Sequence, residues 1–132
     1  MPGYPCCCRK LLTCEEVDAW IATLGSSASV TLNGTDYPGY GPDPGCDDDS
    51  GAYVVTGVGG AWDYDDESLV HGIIQLDISC VGDEVTVLIG SGSYGSIKRF
   101  PVPVSVSDLM SGTTDEVAGL PTCSTIGSSW AL

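Results

Sequence analysis

Apolar and polar residues alternate along the middle of the chain. Every second residue of the run 74–80 is apolar, and Val85, Val87 and Ile89 repeat the spacing with Thr86 and Leu88 on the opposite face. Side chains of a β-strand point alternately to its two faces, so each run predicts a strand with one buried face. Gly82 lies between the runs and can adopt the positive φ of a short turn. Residues 69–90 are therefore predicted to form a β-hairpin at the centre of the domain, with residues 81–83 as its turn.

Shorter alternating runs, separated by turn residues, surround this hairpin. Strands are predicted at residues 28–32, 52–56, 62–65, 96–100 and 124–132, with 62–65 at an edge and 113–121 as loop. The 18 glycines and 8 prolines leave little room for long helices. The expected fold is mainly β: an antiparallel β-sandwich or a small barrel, with one short N-terminal α-helix laid against it.

The helix is predicted just after the N-terminal arm. Thr13 and Glu16 have the spacing of a helix capping box, and apolar residues then recur at helical intervals. We expect a helix over residues 14–24 that is anchored in the core by Trp20, because a tryptophan side chain buries a large area.

The length fits one domain over residues 1–132. We divide it into a cysteine-rich arm (1–13), the helix (14–24) and a β domain (28–132).

The charge balance excludes several partners. The net charge is −14, with only 4 lysines and arginines. Nucleic acids and anionic membrane surfaces are bound through cationic side chains, so neither is an expected partner. The same balance suits cations, basic proteins or a solvated surface. No stretch is apolar enough to span a bilayer, and the first 20 residues lack a visible signal peptide. We expect a protein that stays where it is made, leaves by lysis or another signal-free route, or has lost its signal.

Seven cysteines form no C-x-x-C pair, which is the usual spacing of a structural zinc site. In an extended arm, Cys6 and Cys8 would share a face, and Cys14 at the helix start could approach them. These three are candidate ligands for a soft metal such as zinc or for an iron–sulfur cluster.

Disulfides are the rival interpretation of the cysteines. The candidates are Cys7, Cys46, Cys80 and Cys123, three of which lie at predicted strand ends or in loops. An odd total leaves one thiol free or bonded between subunits. A third possibility is that the cysteines are reduced, buried and inert.

Two acidic clusters are candidate calcium sites. Asp47 and Asp49 belong to one cluster, and Asp63 and Asp65 belong to the other. Calcium prefers several oxygen ligands, which flexible aspartate loops supply, although neither cluster has the spacing of an EF-hand loop. The alternative is an exposed run of charge.

No set of residues predicts catalysis. His71 is the sole histidine, so a catalytic triad or a two-histidine metal site is hard to build. Asn33 begins a glycosylation sequon, but Asn-Gly is also a strong turn signal, and we favour the turn.

The chain resembles a group of short, uncharacterised β-rich proteins of aquatic bacteria and tailed phages that carry an N-terminal cysteine cluster. The matching features are Cys6-Cys7-Cys8, the LNGTxY motif at residues 32–37, the GAY motif at 51–53 and the alternating run that ends at Cys80. The resemblance implies a secreted or virion structural setting and assigns no functional residues.

We therefore expect a non-enzymatic structural or interaction protein of a phage virion or an extracellular assembly. Its partners would be proteins, in a homo-oligomer or a larger assembly. The alternative is a cation- or metal-binding module that uses the acidic loops or the N-terminal cysteine cluster.

Overall fold

The computed structural model describes residues 10–33, 35–36, 49–69, 72–92, 94–119 and 123–132. Within these residues there are two helices, α1 (Cys14–Ile21) and α2 (Val106–Met110). The strands are β1 (Leu11–Leu12), β2 (Ser27–Leu32), β3 (Thr35–Asp36), β4 (Gly51–Val58), β5 (Ala61–Asp65), β6 (Ile73–Val81), β7 (Glu84–Ser91), β8 (Tyr94–Pro101), β9 (Val104–Ser105), β10 (Ser111–Thr113), β11 (Glu116–Gly119), β12 (Cys123–Ser124) and β13 (Ser129–Ala131). The prediction of a mainly β fold with a short N-terminal helix is confirmed.

Nine strands form one antiparallel sheet that curls strongly into a half-barrel. Their order is β10-β13-β2-β4-β5-β6-β7-β8-β11. The remaining strands make two small pairs, β1 with β9 and β3 with β12.

The two edge strands of the large sheet are consecutive in the chain. Only Thr114 and Asp115 separate β10 from β11, which lie at opposite edges. The Thr114 N–H donates to Ser128 O at 2.8 Å, and the Asp115 N–H donates to Ile97 O at 3.1 Å. Because so short a link joins the two edges, the sheet must curl until they meet. The prediction of a loop over 113–121 was wrong for residue 113, which ends β10, and for residues 116–119, which form β11. Strands of three and four residues carry too little alternation to be recognised from sequence.

The predicted central hairpin is confirmed as β6 and β7. Their register runs from the Ile74–Ser91 pair to the Val81–Glu84 pair. Only Gly82 and Asp83 form the turn, with Gly82 at a φ of 68°, so Val81 is a strand residue and not part of the turn. The alternating apolar residues of both strands face the core, as the pattern predicts.

Strand β5 lies inside the sheet and not at its edge, which corrects the prediction for residues 62–65. It pairs with β4 on one side and with β6 on the other. Trp62 is fully buried against the core, and its backbone comes so close to Gly57 that a Cβ there would lie 2.8 Å from Trp62 Cα. The acidic residues beside Trp62 suggested an edge, but they point away from the core.

Helix α1 has the predicted capping box. The Glu16 N–H donates to Thr13 Oγ1 at 3.3 Å, and the Thr13 N–H donates to Glu16 Oε1 at 3.0 Å. The helix ends at Ile21, three residues earlier than predicted. Val17 and Ile21 are buried in the core, whereas Trp20 is only partly buried and so is not the expected deep anchor.

The connections between strands lie at two ends of the half-barrel. One end, which we call the helix end, carries α1, α2 and the 82–83 turn. The other, which we call the loop end, is where β2, β5, β7 and β11 end. Along the described part of the chain, neither helix has the length and apolar character needed to cross a membrane.

Candidate functional site

The helix end contains a disulfide between Cys14 and Cys80. The two Cα atoms are 5.7 Å apart, and the bond spans 66 residues of sequence. Cys80 is among the predicted disulfide candidates, but its partner is a residue that we had assigned to a metal site. Because the Cys14 sulfur is bonded to Cys80, it is not a free thiolate in this structure, and this corrects its assignment as a soft-metal ligand.

Local structure brings the two cysteines together. The cap at Thr13 fixes the start of α1, so Cys14 is the first residue of the helix. Val17 and Ile21 then pack into the core, which holds the helix against the end of β6. The disulfide restricts the unfolded chain to a closed loop of this length and so lowers its conformational entropy. In the chain-entropy description this stabilises the folded state by about 4 kcal/mol.

The other cysteine predictions lie outside what the structure describes. These residues are Cys6, Cys7, Cys8 and Cys46. Of Cys123 only the backbone is described, where it pairs with Asp36. A zinc or iron–sulfur site in the arm and further disulfides stay predictions.

Asp49 is buried at the loop end, just before β4. Its side chain is only 6% exposed, and the Ser91 hydroxyl donates to Asp49 Oδ2 at 2.9 Å. The Tyr53 hydroxyl donates to the Asp49 carbonyl oxygen at 2.7 Å. These contacts fix the end of the acidic segment 47–49 against the sheet.

Asp63 and Asp65 lie on the outer face of β5. Trp62 and Tyr64 alternate with them and point inward, so both carboxylates are exposed. The structure therefore does not bring them together with the buried Asp49. Considering only the described residues, no three histidine, cysteine or acidic side chains are grouped closely enough to hold a metal ion. Asp47 lies outside those residues, so calcium binding stays a prediction.

A tyrosine and an aspartate are ordered where β5 reaches the loop end. The Tyr64 hydroxyl donates to Asp66 Oδ2 at 3.0 Å, and the Ser68 N–H donates to Asp66 Oδ1 at 2.8 Å. The hydrogen bonds from Ser68, and then the one from Tyr64, lower the pKa of Asp66. The Tyr64 ring lies 5.4 Å from that of Tyr53.

Sequence reasoning missed Asp77, which lies near Asp63 on the outer face of the sheet. Asp77 pairs with Ala61, and Asp63 pairs with Gln75, so the two carboxylates are on neighbouring strands two residues apart in register. Partial burial, and then the charge of Asp63, raise the pKa of Asp77. The alternation marked Asp77 as water-facing, but only the register between strands could show that it joins Asp63.

Two exposed valines lie on the neighbouring strand β4, each two residues from Thr56, which pairs with Asp63. Val54 is 61% exposed and Val58 is 77% exposed, both on the outer side of β4. We call the outer surface formed by Val54, Val58, Asp63, Asp65 and Asp77 the acidic face. The ion pairs found among the described residues are all elsewhere: Lys10–Glu16, Lys98–Asp115, Arg99–Glu84 and Arg99–Glu116.

A cluster of buried hydroxyl groups joins the two edges of the sheet. Ser96 Oγ and Thr114 Oγ1 are 2.6 Å apart, and Thr125 Oγ1 donates to Ile89 O at 3.1 Å. In the described chain, no buried side-chain nitrogen or oxygen lacks a hydrogen-bond partner. Because these hydroxyls are satisfied and enclosed, they stabilise the closure and are not available to a substrate.

The segment between β12 and β13 binds Asn33, the first residue of the predicted Asn-Gly turn. The Asn33 N–H donates to Ser128 Oγ at 2.8 Å, and Asn33 Nδ2 donates to Ile126 O at 2.6 Å. The side-chain amide that glycosylation would use is therefore engaged in this structure.

A shallow groove of about 410 Å³ runs along α1 at the helix end. Leu12, Trp20 and Val106 supply apolar walls, and the Lys10–Glu16 ion pair lies at its rim with 3.4 Å between Nζ and Oε2.

The protein is a mainly β half-barrel with a short helix that is linked to strand β6 by a disulfide. Comparisons with protein-family models, with curated proteins and with solved structures found no match.

Proposed function

We propose that the protein is a non-enzymatic structural or interaction domain of a virion or an extracellular assembly, and that the acidic face binds a basic protein partner. The observation that carries the proposal is the composition of this face. Exposed valines share it with three carboxylates, and every ion pair in the described residues lies elsewhere.

The acidic face leaves an electrostatic cost that a partner could relieve. The pKa of Asp77 is raised by partial burial and by the nearby charge of Asp63, so the two negative charges repel each other. A lysine or arginine placed between them would remove this repulsion, and contact with the valines would bury apolar surface.

The net charge of −14 argues for a basic partner over a second copy at this face. Two acidic faces brought together would repel, whereas a cationic surface would be attracted and steered into place. Self-association into a homo-oligomer or a larger assembly, which we also propose, would therefore use a different surface.

The proposed setting outside the cell has two supports. Disulfides such as Cys14–Cys80 persist mainly in oxidising environments. The resemblance to cysteine-cluster proteins of aquatic bacteria and tailed phages points the same way.

Binding to a synthetic peptide of alternating lysine and valine tests the acidic face. We expect Asp63→Asn with Asp77→Asn to weaken binding about tenfold, because two contacts to cations are lost. The matched control is Asp18→Asn with Asp83→Asn, which removes the same charge from exposed positions off this face. Equal losses in both variants would mean that only net charge matters and would contradict the proposal.

Sedimentation analysis tests the assembly role separately. We expect self-association or attachment to a larger particle. A strict monomer with no particle association would count against an assembly component while leaving the peptide result intact.

A second candidate is a calcium-binding module at the loop end. The observation that favours it is the placement of Asp49, which the Ser91 hydroxyl and the Tyr53 hydroxyl hold at the end of the acidic segment. Calorimetric titration with calcium should then show saturable heat that Asp47→Asn abolishes and Asp65→Asn preserves. No heat in the unmodified protein would remove this candidate.

A further inference from the structure

The Cys14–Cys80 disulfide lies where an external thiol can reach it. Both cysteines are partly exposed at the helix end, although Val17 and Ile78 beside them in the chain are buried. Thiol–disulfide exchange requires a thiolate to approach one of the two sulfur atoms directly. Cys80 packs against the core cluster, but neither cysteine is fully buried, so the bond lies at the border of the core and not inside it.

We propose that this disulfide is a redox latch, which an external dithiol opens in the native protein to release the start of α1 while the sheet stays folded. One thiolate of the dithiol attacks Cys80 Sγ, forms a mixed disulfide and expels Cys14 Sγ as a thiolate. The second thiolate attacks the dithiol sulfur of that mixed disulfide and expels Cys80 Sγ. The dithiol is oxidised to a disulfide by two electrons, and its two protons pass through solvent to the cysteines.

The position of Cys14 favours it as the leaving group. It is the first residue of the eight-residue helix α1, where the partial positive charge of the helix end stabilises a thiolate. The first turn also carries two carboxylates: Glu15 opposes a thiolate at Cys14, whereas Glu16 is bound to the Thr13 N–H and paired with Lys10. The charge of Glu16 is therefore partly compensated before the thiolate forms.

Contacts on either side of the bond keep the opening local. The Cys80 backbone belongs to the β6–β7 ladder, where it pairs with Val85. Helix α1 keeps Val17 and Ile21 in the core. The first turn of the helix and the short strand β1 before it are held less firmly: the capping box, the buried Leu12 and the two-residue pairing with β9 support them, and the disulfide adds to these contacts.

Differential alkylation followed by peptide mass spectrometry tests the latch in the unmodified full chain. With millimolar dithiothreitol in native buffer, we expect labelling of Cys14 and Cys80 to rise from below about a tenth to above about nine-tenths. Fluorescence of the buried Trp62 and Trp130 should stay unchanged when it is recorded in a Trp20→Phe background, which is needed because Trp20 lies on α1 itself. If the two thiols appear only in denaturant, or together with loss of the tryptophan signal, the disulfide is a structural bond and the proposal fails.

Hydrogen exchange locates the released segment. The Val17 N–H, which donates to Thr13 O at 2.8 Å, should exchange at least about tenfold faster after reduction, while the β6–β7 amides keep their rates. The variant Cys14→Ser with Cys80→Ser should reproduce this pattern without a reductant. Failure of that variant to fold would show that the sheet depends on the bond, which would also overturn the latch.

Discussion

The acidic face and the outer surface of β7, β8 and β11 belong to the same sheet, but their carboxylates differ in whether they are ion-paired. On β8, Arg99 bridges two carboxylates, with Nη1 2.7 Å from Glu84 Oε1 and Nε 3.1 Å from Glu116 Oε2. On β5 and β6, Asp63 and Asp77 lie near each other, and the ion pairs among the described residues lie away from them.

Apolar residues follow the same contrast. Ile97 lies opposite Leu88 and Glu116 and is 5% exposed, whereas Val54 is 61% exposed. The outer surface of β8 therefore has its charges paired and its apolar residue buried, whereas within the described chain the acidic face has neither. Negative charge is therefore not spread evenly over this sheet: the carboxylates on β7 and β11 are ion-paired with Arg99, whereas those of the acidic face take part in none of the ion pairs found among the described residues.

The largest expected effect comes from truncating the apolar residue on each surface. Ile97→Ala should destabilise the protein by about 3 kcal/mol, because it leaves a cavity at a buried position. Val54→Ala should cost less than about 1 kcal/mol, since the side chain is already in water. Urea unfolding measures both, and equal costs would mean that the two surfaces do not differ in burial.

A smaller loss of stability is expected from Arg99→Ala. The change removes two ion pairs and leaves Glu84 and Glu116 without their shared cation. Because all three side chains are substantially exposed, the urea midpoint should fall by less than in Ile97→Ala, and the difference should shrink in high salt. Arg99→Lys is the control, since it keeps the charge and loses the forked geometry. A salt-independent loss would contradict an ionic origin.

The smallest change, and one of opposite sign, is expected from Asp77→Asn. The folded state raises the pKa of Asp77, so folding disfavours its charged form and this residue costs stability once pH exceeds its unfolded pKa. The free energy of unfolding of the variant should be about 0.5 kcal/mol higher at neutral pH. The gain is small because Asp77 is partly exposed, so water screens its repulsion from Asp63.

The pH dependence checks the sign of that change. The gain should vanish below the unfolded pKa, where Asp77 is protonated in both states. Asp83→Asn removes the same charge from an exposed turn and is the control for net charge. A gain that persists in acid would show that packing, and not charge, is responsible.

Local pattern was enough to predict the elements with strong periodicity. The alternation of residues 74–80 predicted β6, and the spacing of Thr13 and Glu16 predicted the start of α1. In both, the interactions that decide the structure lie within a few residues, so the sequence carries them directly.

Features that depend on distant residues were not predictable in the same way. The pairing of Cys14 with Cys80 joins residues 66 apart, and the neighbouring position of Asp63 and Asp77 depends on register between strands. Strand β5 was predicted at an edge because its alternating acidic residues are typical of an edge strand. In the structure β5 lies between β4 and β6, and its acidic residues point to the outer face of the sheet. The short strands β10 and β11 are defined by the partners they reach and not by their own composition.

Residues 111–119 form one continuous segment that contains β10 and β11, and its position matters where copies of the protein are crowded together. It supplies both borders of the nine-stranded sheet, and each border is only three or four residues long. Long unpaired strands are the templates on which foreign chains add and fibrils grow. Because one stretch of backbone forms both borders, each border strand is short, and β11 covers residues 94–97 of β8 while residues 98–101 extend past it.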